Sequence, residues 1–119
     1  MEPGNEGQTW LHFYQLFLEK AVIEVDAQHK EIDLQMVINL AKAEPEYARA
    51  TVYSLWQEFK RLLTADDPRR HVLKLHCCVI AYALNDAFGK DDKDNAKTLD
   101  LCPGLSDELD DFASDQGLS

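Results

Sequence analysis

A chain of 119 residues with a net charge of −10 makes one domain, long enough to bury roughly two-thirds of the surface its unfolded form would expose. The last thirty residues carry 3 basic and 9 acidic groups, which repels phosphates and anionic lipid, so direct nucleic-acid or membrane binding is not expected. Three cysteines, two of them adjacent at Cys77 and Cys78, make no disulfide framework. With no leader-like segment and no apolar run near the ~18 residues of a membrane span, the expected compartment is the cytoplasm.

Residues 1–8, with Pro3, Gly4 and Gly7, read as a flexible end. Residues 8–44 hold no Gly or Pro, which predicts a long helix capped by Thr9, either continuous or broken near residues 26–30. Within it Val22-Ile23-Glu24-Val25 is strand-like, but no turn signal flanks it and it sits inside helical periodicity, so helix is the expectation there too. On such a helix the apolar residues form two stripes. Trp10, Phe13, Tyr14, Phe17, Leu18, Ala21, Val25, Ile32, Met36 and Leu40 make a broad one that faces the core. Leu16, Ile23, Ala27, Leu34, Ile38 and Ala41 lie roughly opposite, spaced like a coiled-coil seam. A helix in a small monomer needs one buried face, so the second stripe asks for a partner.

Pro45 opens the next helix, with Glu46 in the first turn. Ala48, Val52, Leu55, Trp56, Phe59, Leu62 and Leu63 fall within ~120° of arc, while Arg49, Glu58 and Lys60 are expected to face water. A tight connection at residues 64–68 then demands antiparallel packing. The following helix, at about residues 69–88, contains Cys77-Cys78-Val79-Ile80-Ala81-Tyr82-Ala83-Leu84, apolar all round at ~100° per residue and therefore central. Asp66 or Asp67 can cap it, Pro68 suits its first position and Gly89 can close it. Residues 90–104 read as an acidic loop ending in Cys102-Pro103-Gly104. A short helix follows at 107–113, capped by Ser106 and anchored by Leu109 and Phe112, with residues 114–119 flexible. The fold class is all-α: a single helical domain over 1–119, a small bundle of four main helical segments with a long N-terminal helix, a buried central helix and a short C-terminal one.

Catalytic and metal chemistry finds little footing. Counting a calcium loop from Asp92 places Lys97 where the sharp turn needs Gly and Pro103 where the bidentate Glu belongs. His71 and His76 are five apart, not the three or four that share a helical face, so zinc would need His76 and Cys78 to recruit Cys102 from the loop. Nothing resembles a nucleophile elbow, a phosphate-cradling Gly loop or an HExxH metal helix. No enzyme activity, cofactor or metal is therefore expected. The aromatic cluster Trp10, Phe13, Tyr14 and Phe17 suits either a core or a binding surface, since aromatic residues anchor both.

Read from MEPGNEGQTWLHFYQLFLEKAVIEVD through HVLKLHCCVIAYALNDAF, the chain resembles the QslA-like anti-activators of LuxR-type quorum-sensing regulators. The resemblance spans the whole chain and rests on no diagnostic motif. It implies a cytoplasmic protein that binds the ligand-binding domain of an acyl-homoserine-lactone receptor and blocks its dimerisation and DNA binding, with no catalytic residue. From the helix faces, the expected partner-binding residues are Trp10, Phe13, Leu16, Phe17, Ile23, Leu34 and Ile38, with Glu19, Glu24, Glu31 and Asp33 steering approach to a basic rim. A homodimer is expected as well. Two other readings stay open: an acidic nucleic-acid mimic using the carboxylates of residues 91–111, and a dimeric structural or chaperone-like adaptor using the seam only for self-association.

Overall fold

In the computed structural model, which describes residues 3–27, 29–89, 91–115 and 117, the elements follow in the order α1 (Pro3–Lys20), β1 (Val22–Asp26), β2 (His29–Ile32), α2 (Leu34–Ala43), α3 (Pro45–Thr64), α4 (Arg70–Phe88), α5 (Lys93–Asp100) and α6 (Leu105–Asp115). The architecture is a mostly helical bundle with a tiny two-stranded sheet, and the described residues contain no helix long and apolar enough to cross a membrane.

The antiparallel pair α3 and α4 forms its centre. Pro45 sits in the first turn of α3, where its missing N–H costs nothing, and Ala48, Val52, Leu55, Trp56, Phe59 and Leu62 turn one face inward. Leu63, expected on that face, is exposed. Asp66 takes a φ of 54° to reverse the chain, and the Asp67 carboxylate accepts from the Arg69 N–H at 2.9 Å and from its guanidinium. Arg69 is the N-cap of α4 and makes no side-chain cap bond, so neither Asp66 nor Asp67 caps the helix and Pro68 lies before it. As expected from its run of apolar residues, the middle of α4 is buried from His76 to Leu84, with Tyr82 half-buried, between α3, α2 and α6. Val72 and Leu75 in its first turns are exposed. It ends at Gly89, whose φ of 93° favours glycine.

The N-terminal third departs from the expected long helix. Helix begins at Pro3 rather than at Thr9, so residues 3–8 are helical; Met1 and Glu2 lie outside the described residues. It stops at Lys20. Residues 22–32 then form an antiparallel hairpin, so the strand-like character of Val22-Ile23-Glu24-Val25 prevails over the helical period. At the base of the hairpin the Ala21 N–H still bonds to Phe17 O at 2.9 Å, while Ala21 O accepts the Asp33 N–H at 2.7 Å. Asp33 next caps α2, its carboxylate accepting the Met36 N–H at 3.2 Å. One residue thus closes the hairpin and opens the helix.

The stretch expected to be an acidic loop contains a helix over residues 93–100; Lys90 lies outside the described residues. The Asp92 carboxylate accepts the N–H groups of Asp94 and Asn95, both at 3.0 Å, and starts α5, whose inner side buries Asn95 and Thr98. Asn95 Nδ2 donates to Leu84 O at 3.0 Å and to Gly89 O at 3.4 Å, satisfying carbonyls at the end of α4. Its Oδ1 accepts from Arg49 Nε at 2.9 Å. Arg49, expected in water, instead pairs with Asp92 and Asp94 and lies over the Phe88 ring. The Cys102-Pro103-Gly104 stop is a turn docked on α3: Trp56 Nε1 donates to Pro103 O at 3.2 Å. From there α6 starts at Leu105, earlier than expected, and runs to Asp115, so residues 114 and 115 are helical; Gln116, Leu118 and Ser119 lie outside the described residues. Leu105 and Leu109 are its buried anchors, and Phe112 meets Tyr82 edge-on. Among the described residues no buried side-chain nitrogen or oxygen lacks a partner.

Candidate functional site

The hairpin carries the exposed apolar surface most directly tied to the expected partner. Its register pairs Val22 with Ile32, Ile23 with Glu31 and Glu24 with Lys30, then slips at a bulge between Glu24 and Asp26. Residues opposite each other in an antiparallel pair share a face, and successive residues alternate. Val22 and Ile32 therefore share the inner face, where both pack on the core. Ile23 points the other way and is 47% exposed; Val25, two residues on at the bulge, is 54% exposed. Such a hairpin turns apolar side chains both towards its own core and towards water, the reverse of the usual polar outer face.

The seven residues expected to bind a partner divide. Phe13 (1% exposed), Phe17 (0%) and Ile38 (6%) belong to the core and are unavailable as surface anchors. Trp10, Leu16 and Leu34 are half-buried, and Ile23 is exposed. The continuous seam does not form, because Leu16 lies on α1, Ile23 on β1, and Leu34 and Ile38 on α2. Val25, assigned to the core stripe, is the exposed neighbour of Ile23 that the helical period concealed. Leu11 and Leu18, seven residues apart and so on one side of α1, are exposed as well. Of the acids expected to steer a partner, Glu19, Glu24 and Glu31 are exposed and Asp33 is half-buried in its capping role.

The aromatic cluster has a structural use. Tyr14 and Phe17 pack on His76 of α4, with ring centroids 5.8 and 5.0 Å away, and the Tyr14 hydroxyl lies 2.8 Å from His76 Nδ1. Burial, with a smaller contribution from the charge of Lys30, holds the His76 pKa down to about 4, so the ring is neutral at neutral pH; burial also raises the Tyr14 phenol.

The cysteines are buried and free. Cys77 donates to Val52 O at 3.4 Å, and burial pushes its thiol far above the ordinary range, that of Cys78 up to about 12 and that of Cys102 up to about 11. A nucleophile needs the opposite shift. Among the described residues no group of three His, Cys, Asp or Glu side chains stands close enough to hold a metal ion, so His76, Cys78 and Cys102 are not brought together as ligands. The Asp92 carboxylate, from which a calcium loop was counted, is committed to the start of α5 and to Arg49. Two shallow cavities flank α6: about 290 Å³ bounded by Tyr82, Leu99 and Leu109, and about 460 Å³ beside His71, Cys78 and Phe112.

No protein-family model matches the chain, and neither a curated relative nor a solved structure matches it.

Proposed function

We propose that this chain is a non-enzymatic protein inhibitor, in which the outer face of the hairpin supplies the apolar anchor for a regulator. The observation that supports this is Ile23 and Val25 standing exposed on a sheet that has two strands among the described residues. The inner face of the hairpin is already covered by the core through Val22 and Ile32, so the exposed β-branched residues on its outer face are the apolar surface left to be covered. The acids around it, Glu19, Glu24 and Glu31, favour a partner with a basic rim and raise its association rate. Taken with the resemblance to anti-activators, the proposed partner is the ligand-binding domain of a LuxR-type receptor, whose dimerisation and DNA binding the complex would block in the cytoplasm, damping quorum sensing. Self-association of the inhibitor is part of the same proposal.

Size-exclusion chromatography with light scattering tests it, on the protein alone and mixed with such a domain. A defined mixed complex with the domain's own dimer lost supports inhibition by interface occupation; separate elution with the domain's dimer intact removes it. Added salt should slow association and hardly change dissociation. A steep collapse of affinity with salt would instead favour acidic mimicry of nucleic acid.

A further inference from the structure

The backbone of the hairpin specifies more than an apolar patch. Ala21 O accepts the Asp33 N–H, and pairs in an antiparallel ladder alternate between bonded and non-bonded. Counting inward from that bond along the register, Ile23 and Glu31 exchange their N–H and C=O groups across the hairpin, whereas those of Val22 and Glu24 turn outward on β1 and those of Lys30 and Ile32 turn outward on β2. Among the described residues the sheet contains these two strands, so both rows face outward from it.

The two edges differ in side chains. Lys30 stands on the β2 edge, and a charged lysine is a usual guard against edge pairing. On β1 the side chains are Val22, Ile23 and Glu24, with the bulge at Val25 limiting any added strand to a short stretch.

We infer that the β1 edge takes an extended segment of the partner protein as a third strand, paired to the backbones of Val22 and Glu24. This rests on the proposed inhibitor reading and specifies how its surface is used. The chemistry of the segment follows from the pleat. The residue opposite Ile23 lies on the outer face and is apolar. The residue opposite Glu24 lies on the other face and is basic, because the exposed Glu24 carboxylate stands there. Backbone pairing supplies affinity that tolerates sequence change, and these two side chains supply the selection.

The probe is a LuxR-type receptor's ligand-binding domain. Amide exchange on the intact protein should show the Val22 and Glu24 N–H groups slowing when the domain is added. Glu24→Pro removes an outward N–H while leaving the Ile23–Glu31 pair intact, and should weaken binding about tenfold beyond Glu24→Ala, which removes the carboxylate alone. If the Val22 and Glu24 amides exchange as fast in the complex as outside it while Ile23→Asp abolishes binding, side chains dock without an added strand; the inference falls and the inhibitor reading stands. If Ile23→Asp binds like the native protein, or the native protein does not bind the domain, the reading falls and the inference with it.

Discussion

The Tyr14 hydroxyl and His76 Nδ1, 62 residues apart in sequence, lie 2.8 Å from each other and tie α1 to the central helix. Phe17 closes over the same imidazole, so His76 is held where a charge is costly. Its folded pKa of about 4 is depressed from an ordinary 6.5. The unfolded chain then binds the proton first as pH falls. Stability is fully present above about pH 6.5 and is lost between there and about pH 4, by about 3 kcal/mol in total. Urea denaturation at about pH 7 and about pH 4.5 should show most of this loss, and His76→Phe should remove that share of the pH dependence. Tyr14→Phe should cost about 1–2 kcal/mol at neutral pH by leaving a ring nitrogen without its partner.

Asn95 joins three elements from a site 3% exposed: its amide holds carbonyls at the end of α4 and its oxygen holds Arg49 of α3. Asn95→Leu removes one hydrogen bond at the Leu84 carbonyl and one at the Arg49 guanidinium, which keeps Asp92 and Asp94. A loss of about 2–3 kcal/mol is expected by chemical denaturation, with a smaller loss for Arg49→Met, which strands no buried acceptor other than Asn95 Oδ1.

Burial of Cys77, Cys78 and Cys102 with raised thiol pKa values predicts sluggish chemistry. In the native protein at neutral pH all three should react with a thiol reagent only at the rate of local or global opening. In denaturant all three should react at once, and fast labelling of any of them in the folded protein would contradict the packing described above.

Much of the bundle was legible because its cause is local. The run from Cys77 to Leu84 has no polar residue to turn outward, and it became the buried helix; the single apolar face of α3 likewise went inward, Leu63 excepted. The hairpin was missed because nothing marked its reversal: Gly and Pro are absent from residues 8–44, and the turn passes through Ala27. The available signal was the β-branched set Val22, Ile23 and Val25, stronger than a helical period that spans only a few turns. In α5 the charges hid a helix whose inward residues, Asn95 and Thr98, are polar and so leave no apolar period. The residues expected to bind a partner rest on the same helical period: Ile23 is exposed, Val25 is exposed instead of facing the core, and Phe13, Phe17 and Ile38 are buried in the core.

Side chains at an exposed edge contribute little to folding and can dominate binding, so Ile23→Asp separates the two roles. The native protein and this variant should share one circular dichroism spectrum, the variant being less stable by about 1–2 kcal/mol because a carboxylate at position 23 stands opposite Glu31. Calorimetric titration of a LuxR-type ligand-binding domain should then show an affinity at least about thirtyfold lower for the variant, the scale of losing a buried anchor. Equal affinities for the two proteins would mean that the outer face of the hairpin is not where the partner binds.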